Sequence, residues 1–412
     1  MWFVGIDWAG DHHDVAVTDE GAGLLARFRV AHSVAGLEEL VARVAALGAD
    51  RGEVRVALER PDGLLVANLL ERGYAVYPVN PKAVDRYRDR HQGSGAKDDA
   101  RDAWVLANIL RTDGHRFAPL GAEGEVAAEL RLTARAHRDL VQEGTRLANQ
   151  LHAALADYYP AAPTLFGQLA QPVALAFLQA FPTAEAARAA GRAGILAWCK
   201  AHRYQPRWAE ALWEKLDAPA LAQPNAGVVR ARSRQVQGWA AALLAVLAAQ
   251  REHERALAAL LGRHPDGGLF LALPGAGVVL AAELLGELGE DRAALPRADD
   301  LRAVGGTAPV TIQSGKRRLV VRRQACNRSL HASLIQFARS SVLQAGQGKE
   351  AAAWAGEVYR ARRAAGESAQ AAYRAVATRW AGILWAVWTR REPYDHRRYE
   401  QACRARALPK AS

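Results

Sequence analysis

Cysteine is scarce, with Cys199, Cys326 and Cys403 the three such residues among 412. They lie far apart and are odd in number, which excludes a disulfide framework and a cysteine-based zinc cluster and fits a reducing compartment. Long apolar runs are missing too. Nothing approaches the roughly 18–20 uncharged residues that a spanning helix needs, so no membrane partner is expected. The first residues carry no basic n-region and reach an acid at Asp7, so neither a signal nor a transit peptide is expected and the location is read as cytoplasmic. Low-complexity runs and internal repeats are absent. Acid is in short supply against base: Asp plus Glu number 43, Lys plus Arg 54, and the net charge is +11. That excess favours a polyanionic partner, nucleic acid first, although a coding bias toward Arg and Ala contributes part of it.

What is present is ordinary globular material, 50% hydrophobic and 24% charged, with a length that predicts two to four folded units. Strand patterns at 2–6, 15–18 and 24–30 precede a helix over 37–47, a buried strand over 54–58, a helix over 64–72 and a strand over 75–79. Three strands followed by alternating helices and strands describe a mixed α/β sheet. Gly93-Ser94-Gly95 is a flexible approach to a closing helix over 99–111. From Glu125 the period is helical. Leu130, Ala134, His137, Val141, Gly144, Ala148, Leu151, Leu155 and Tyr158 form one heptad seam, and Val236, Trp239, Leu243, Val246, Gln250, His253, Leu257 and Leu260 form a second. Their helices are expected either to pair antiparallel within the chain or to make an oligomer contact. The expected boundaries are an α/β domain over 1–117, a helical coiled-coil region over 118–265, a third domain over 266–345 and a basic, Trp-rich helical tail over 346–412.

The acids carry the chemistry. Asp7 ends the first strand and Glu59 follows Val-Arg-Val-Ala-Leu, so both are expected at one edge of the sheet. In Lys97-Asp98-Asp99-Ala100-Arg101-Asp102-Ala103, Asp98 suits the N-cap, while Asp99 and Asp102 share a helix face. Each acid alone is an ordinary structural residue. Four in this order would repel one another without bound cations, and they make sense as a Mg²⁺ or Mn²⁺ clamp on the attacking and leaving oxygens of a phosphodiester. Gly5-Ile6-Asp7 alone also suits a sugar-kinase-like phosphotransferase, but that reading needs later Gly-rich phosphate loops, which the sequence lacks.

In the third region, Leu269–Leu273, Pro274-Gly275-Ala276-Gly277 and the apolar run after it have the form of a helix-hairpin-helix element. Its Gly275 and Gly277 would offer backbone N–H groups to a phosphate, and a plain helical turn explains the pattern equally well. Ser314-Gly315 is followed by Lys316, Arg317, Arg318, Arg322 and Arg323 with no acid among them. Ser314 is therefore either a turn residue or a nucleophile whose surrounding cations stabilise an attacked phosphate.

Together these motifs resemble the IS110 family of transposases, including IS1111-type relatives. The resemblance rests on Gly5-Ile6-Asp7, Ala57-Leu58-Glu59, Tyr77-Pro78-Val79-Asn80-Pro81, the 97–103 motif, Leu273 to Gly277, Gly306 to Pro309, Ser314-Gly315 and Glu392-Pro393-Tyr394-Asp395. It spans nearly the whole chain. It implies a RuvC-type RNase H-like domain with a DEDD site, a coiled-coil linker and a helical C-terminal transposase domain with a catalytic serine. Asp7, Glu59, Asp99 and Asp102 take the metal positions, Ser314 that of the nucleophile. It also implies double-stranded donor and target DNA, a structured bridge RNA, and a homo-oligomer, dimer or tetramer, whose acidic and serine domains combine across subunits. Cys326 and His331 depart from the family's glycine and arginine there. A RuvC-like structure-selective endonuclease and a non-catalytic nucleic-acid-binding relative are the competing readings.

Overall fold

A computed structural model describes the chain apart from residues 49, 61, 82, 83, 86, 88–98, 122, 219–223, 316 and 408–412, with backbone alone at 99, 100, 206, 207, 317, 318 and 404–407. Lys97, Asp98 and the 93–95 loop thus lie outside the described residues, as do Lys316 and the side chains of Asp99, Arg317 and Arg318. The chain divides into two compact units, Met1–Glu123 and Gly124–Ser412.

The first unit is built on β1 (Trp2–Trp8), β2 (His12–Thr18), β3 (Leu24–Ala31), β4 (Val54–Leu58) and β5 (Ala75–Pro78), ordered β3-β2-β1-β4-β5. β1 pairs antiparallel with β2, and β2 with β3. β4 lies parallel to both β1 and β5. This mixed sheet is compatible with the RNase H-like domain that the family resemblance implies. Alternation along the strands divides the core between two faces. Val4, Ile6, Val15, Val56 and Leu58 pack against α1 (Val34–Ala46) and α2 (Leu64–Glu71). Phe3, Ala57 and Tyr77 pack against Leu106, Ala107 and Leu110 of α3 (Asp99–Asp113).

The second unit is organised by two long helices, α4 (Glu125–Tyr158) and, after α5 (Pro172–Ala180), α6 (Ala184–Ala201) and α7 (Pro206–Asp217), α8 (Ala226–Arg263). They run antiparallel within the chain. Asp157 pairs with Arg232 near one end and Glu129 with Arg263 at the other. At mid-length Gly144 leaves room for Gln250, whose amide donates to the Leu140 carbonyl at 2.9 Å. Val141 is the seam position that falls on the exposed side.

The pair joins two cores. At one end Leu151, Leu155 and Leu243 pack on Phe177, Ile195 and Leu212. At the other, Leu130, Leu257 and Leu260 enter a core with α9 (Gly267–Leu271), α10 (Val278–Leu288), α11 (Ala298–Val304), α12 (Arg328–Gly346), α13 (Ala353–Ala364) and α14 (Ala369–Arg390). Trp354, Trp380 and Trp388 are buried there, so residues beyond 346 share one core with those of 267–342. The region is not wholly helical. β6 (Val310–Ser314) and β7 (Arg317–Val321) form a hairpin inside it.

A partly buried ionic cluster ties α4 to α10 and α12. Arg135 donates to both oxygens of Glu287, at 2.7 and 2.9 Å, and Asn327 adds a third bond at 2.8 Å. Arg138 reaches Glu283 at 3.0 Å and the Ser333 hydroxyl at 2.6 Å. Burial by itself would raise the Glu287 pKa. The bonds from Arg135 and Asn327 outweigh it and hold the carboxyl below the ordinary glutamate range.

On the α1/α2 face of the sheet, His13 is buried with its Nε2 2.9 Å from Nδ1 of His32. Burial first, then the neighbouring His32 and His12, lower its pKa to about 4, and Asp14 opposes the shift. Because the unfolded chain takes up this proton near pH 6.5 and the folded chain only near 4, stability falls as the pH drops through that window. Replacing His13→Gln should flatten this acid dependence of the first unit, measured as hydrogen exchange of β1 and β2 amides against wild type at each pH.

Candidate functional site

Gly5 sets the geometry of the acidic end. A β-carbon there would stand 1.9 Å from the Ala103 carbonyl oxygen and 2.5 Å from the Ala107 nitrogen, so α3 crosses β1 in direct backbone contact. Phe3, Gly5 and Asp7 alternate onto this face. The parallel register pairs Gly5 with Ala57 and Ile6 with Leu58, and continuing it by one residue sets Glu59 alongside Asp7. One residue before Ala103, Asp102 lies in the first turns of α3 and is 5% exposed. Asp7 and Glu59 are half-buried. Three of the four expected acids thus lie toward one end of one sheet face, near the start of α3, whose positive dipole end favours carboxylates. Backbone at Asp99, one turn before Asp102, belongs to the same helix end.

Their donors are hard carboxylate oxygens, the set that Mg²⁺ or Mn²⁺ takes. Among the described residues, no three His, Cys, Asp or Glu side chains stand close enough to hold a metal ion. The chemistry of these donors suits a divalent cation, but the described side chains do not by themselves form a metal site, and the Asp99 carboxylate lies outside the described residues. A further acid stands beside this group. Asp14 is directly across the ladder from Asp7. It is buried and held by Arg29 through Nε at 3.1 Å and Nη2 at 2.8 Å, with His12 at 3.7 Å. Arg29 offsets the repulsion between two facing carboxylates. Folding 7–14 into a hairpin on paper would have found this pair.

Ser314 lies elsewhere, at the tip of the β6/β7 hairpin in the second unit, paired with Arg317 across the turn. Gly315 takes φ +55°, which a tight hairpin turn demands and glycine allows. Ser314 is exposed, and Ile312 and Leu319 below it are 53% and 57% exposed. At the foot of the hairpin, Arg322 and Arg323 open onto a cleft of about 560 Å³ that also receives Arg362, Arg374 and Arg379, with Glu367 its acid. Arg322 and Arg323 were legible as a basic run. The three arginines from α13 and α14 were not, because only packing brings them there.

The Pro-Gly turn is tightly built. Gly275 takes φ +89°, its carbonyl accepts from Ser340 at 2.6 Å, and a β-carbon there would press on the α12 backbone. Gly277 begins α10 without a side-chain cap. At the family departures, Cys326 packs beside Gly306, and His331 Nδ1 lies 2.9 Å from the Gly305 carbonyl oxygen. Asn327 caps α12 through Leu330 N–H.

Along 405 residues, 96% of each chain, the protein is 36% identical to the mini-circle putative transposase for IS117 of Streptomyces coelicolor. The chain belongs to the IS110 family of transposases. Residues 4–160 of this transposase match a DEDD-type IS110 family model described as Transposase, and 268–355 match the Transposase IS116/IS110/IS902 family. It is 38% identical over 234 residues to the putative transposase y4uE of Sinorhizobium fredii, covering 56% of this chain and 65% of that one. Over 320 residues it is 30% identical to the insertion element IS110 uncharacterized 43.6 kDa protein of Streptomyces coelicolor, covering 76% and 77%. Among the described residues no helix is long and apolar enough to cross a membrane.

Gly5→Ala should push α3 off β1 and destabilise the first unit by about 1–3 kcal/mol. Gly10→Ala, where nothing lies within 4 Å, should be nearly neutral. Urea unfolding of the two variants measures the difference.

Proposed function

We propose that this transposase cuts and exchanges DNA strands, with Asp7, Glu59, Asp99 and Asp102 as a metal-holding DEDD site of RuvC type and Ser314 as the nucleophile. One observation carries this: Asp7, Glu59 and Asp102, distant in sequence, share one end of one sheet face because α3 lies directly on Gly5. Bound there, Mg²⁺ or Mn²⁺ would act as a Lewis acid toward phosphate oxygens. Asp7, Glu59, Asp99 and Asp102 would be its ligands, and Asp14, already committed to Arg29, would orient the Asp7 side of the group.

Ser314 supplies the covalent step. Its Oγ forms a bond to phosphorus, the bond from phosphorus to one deoxyribose oxygen breaks, and the serine proton ends on that leaving oxygen. Energy of the broken ester is kept in the phosphoserine, so a hydroxyl of a second strand can displace the serine and reseal the DNA. Arg322 and Arg323, with Lys316, Arg317 and Arg318, neutralise the phosphate as charge builds on it. The partners are donor and target duplexes. A structured bridge RNA, supported by the family resemblance and by cationic residues spread along the chain, guides the choice of sites, and the protein acts as a homo-oligomer. Gly275 and Gly277 supply a backbone contact to phosphate.

Asp102→Asn should leave DNA binding intact and lower strand transfer a hundredfold or more, equivalent to about 3 kcal/mol. Ser314→Ala should abolish a covalent protein–DNA adduct on supercoiled substrate. An adduct mapped by mass spectrometry to another residue refutes the serine assignment, and simple nicks without adduct or joining indicate a nuclease instead. Activity persisting in excess EDTA refutes the metal.

A further inference from the structure

The Glu392-Pro393-Tyr394-Asp395 motif has no part in the chemistry above. Structurally it turns the chain. α14 stops at Arg391 in a left-handed conformation, φ +56°. Four residues on, Asp395 accepts from the N–H groups of Arg397 and Arg398 at 2.8 and 3.2 Å, starting α15 (His396–Ala407). The reversal lays α15 beside α14 and leaves a cleft of about 740 Å³ between them, within the usual range of small-ligand sites.

Its walls are of two kinds. Trp385, Tyr394 and Tyr399 give aromatic surface, and the rings are held firmly. Trp385 donates to the Leu295 carbonyl at 2.8 Å, Tyr394 Oη accepts from Trp354 at 3.1 Å, and the Tyr399 ring lies 5.0 Å from that of Trp354. Burial pushes the Tyr394 hydroxyl up to about 12. The other wall is cationic. Arg302, Arg379, Arg390 and Arg398 face the cleft against two carboxylates, Glu392 and Asp395. Arg398 pairs with Glu392 at 2.5 Å and Asp395 is spent on the α15 cap. Arg390 has no ion-pair partner among the described residues. Arg379 also lines the cleft at the foot of the Ser314 hairpin, so the two clefts share a cation.

We infer that the cleft between α14 and α15 binds one unstacked nucleotide of a nucleic-acid single strand, base against the tyrosines and tryptophan, phosphate on Arg390 and Arg398. A nucleotide uses both walls. An acidic peptide would engage the arginines alone and leave the rings without a role, and a stacked duplex offers no free base face. The inference rests on the nucleic-acid partner of the proposed function and not on its serine chemistry.

Cys403 reports on occupancy because it lines the cleft and is exposed, whereas Cys199 is buried. In full-length protein carrying Cys326→Ser, maleimide alkylation of Cys403 is timed with single-stranded RNA or DNA octamers, with duplex DNA and with polyglutamate. Single strands should slow alkylation tenfold or more at saturation. Combining Arg390→Ala with Arg398→Ala should raise the concentration needed at least tenfold, while Ser314→Ala should leave it unchanged. Protection by RNA alone assigns the pocket to an RNA, by DNA alone to a melted DNA strand, and by both to either. No protection, equal protection by duplex or by polyglutamate, or an unaffected double arginine variant overturns the inference. Protection that persists in a protein lacking adduct formation keeps this pocket and rejects only the serine chemistry.

Discussion

Backbone contact between α3 and β1 is the constraint on which the acidic site depends. Helices usually stand off from a sheet because side chains fill the gap. At Gly5 no side chain intervenes, and Ala103 and Ala107 present the smallest helical surface in return. The approach buries Asp102 at the rim of the sheet, toward the end where Asp7 lies next to last in β1 and Glu59 follows β4. Had β1 carried valine at this position, as its neighbours suggest, the helix would stand off and the carboxylates would separate.

The second unit solves a different problem, which is to hold an exposed hairpin on a rigid base. A lone two-stranded hairpin is marginal in water. Here its ends run into Thr307, which donates toward the Arg302 carbonyl, and into the Asn327 cap of α12. Those elements are fastened in turn by the Arg135–Glu287–Asn327 cluster, where the buried Glu287 carboxylate accepts two bonds from the partly exposed Arg135 and one from Asn327. Rigidity near a hairpin base and exposure at its tip can therefore coexist.

Charge is sorted between the units. Carboxylates gather at the sheet edge of the first, and arginines from the hairpin, α13 and α14 gather around the clefts of the second. Carboxylates repel phosphate unless cations intervene, whereas guanidinium groups attract it directly. Segregating them lets each surface keep its own character.

Local pattern was enough for much of this. Alternation revealed the strands, apart from two or so residues at their ends, and the steps of three and four revealed the seams of α4 and α8, because both periods follow from backbone geometry alone. The acids stood out for the same reason, each lying at the end of a recognisable strand or helix, and the motifs around them led to the IS110 family. Tertiary structure decided the rest. That the two seams pair within the chain, with Gly144 against Gln250 at mid-length, was decided by packing along the whole length of α4 and α8, because a seam does not say which helix it meets. The Ser314 hairpin was hidden because its first strand is only five residues long and its second, Arg-Arg-Leu-Val-Val, does not alternate, so its exposed isoleucine, leucine and valine mark no buried face. Asp14 joined Asp7 only through cross-strand register. Three tryptophans of a seemingly basic tail entered the core, and its arginines came to face two clefts, because helices from distant parts of the chain fix which side of α14 meets water. Periodicity is a property of neighbours in sequence, and these contacts belong to neighbours in space.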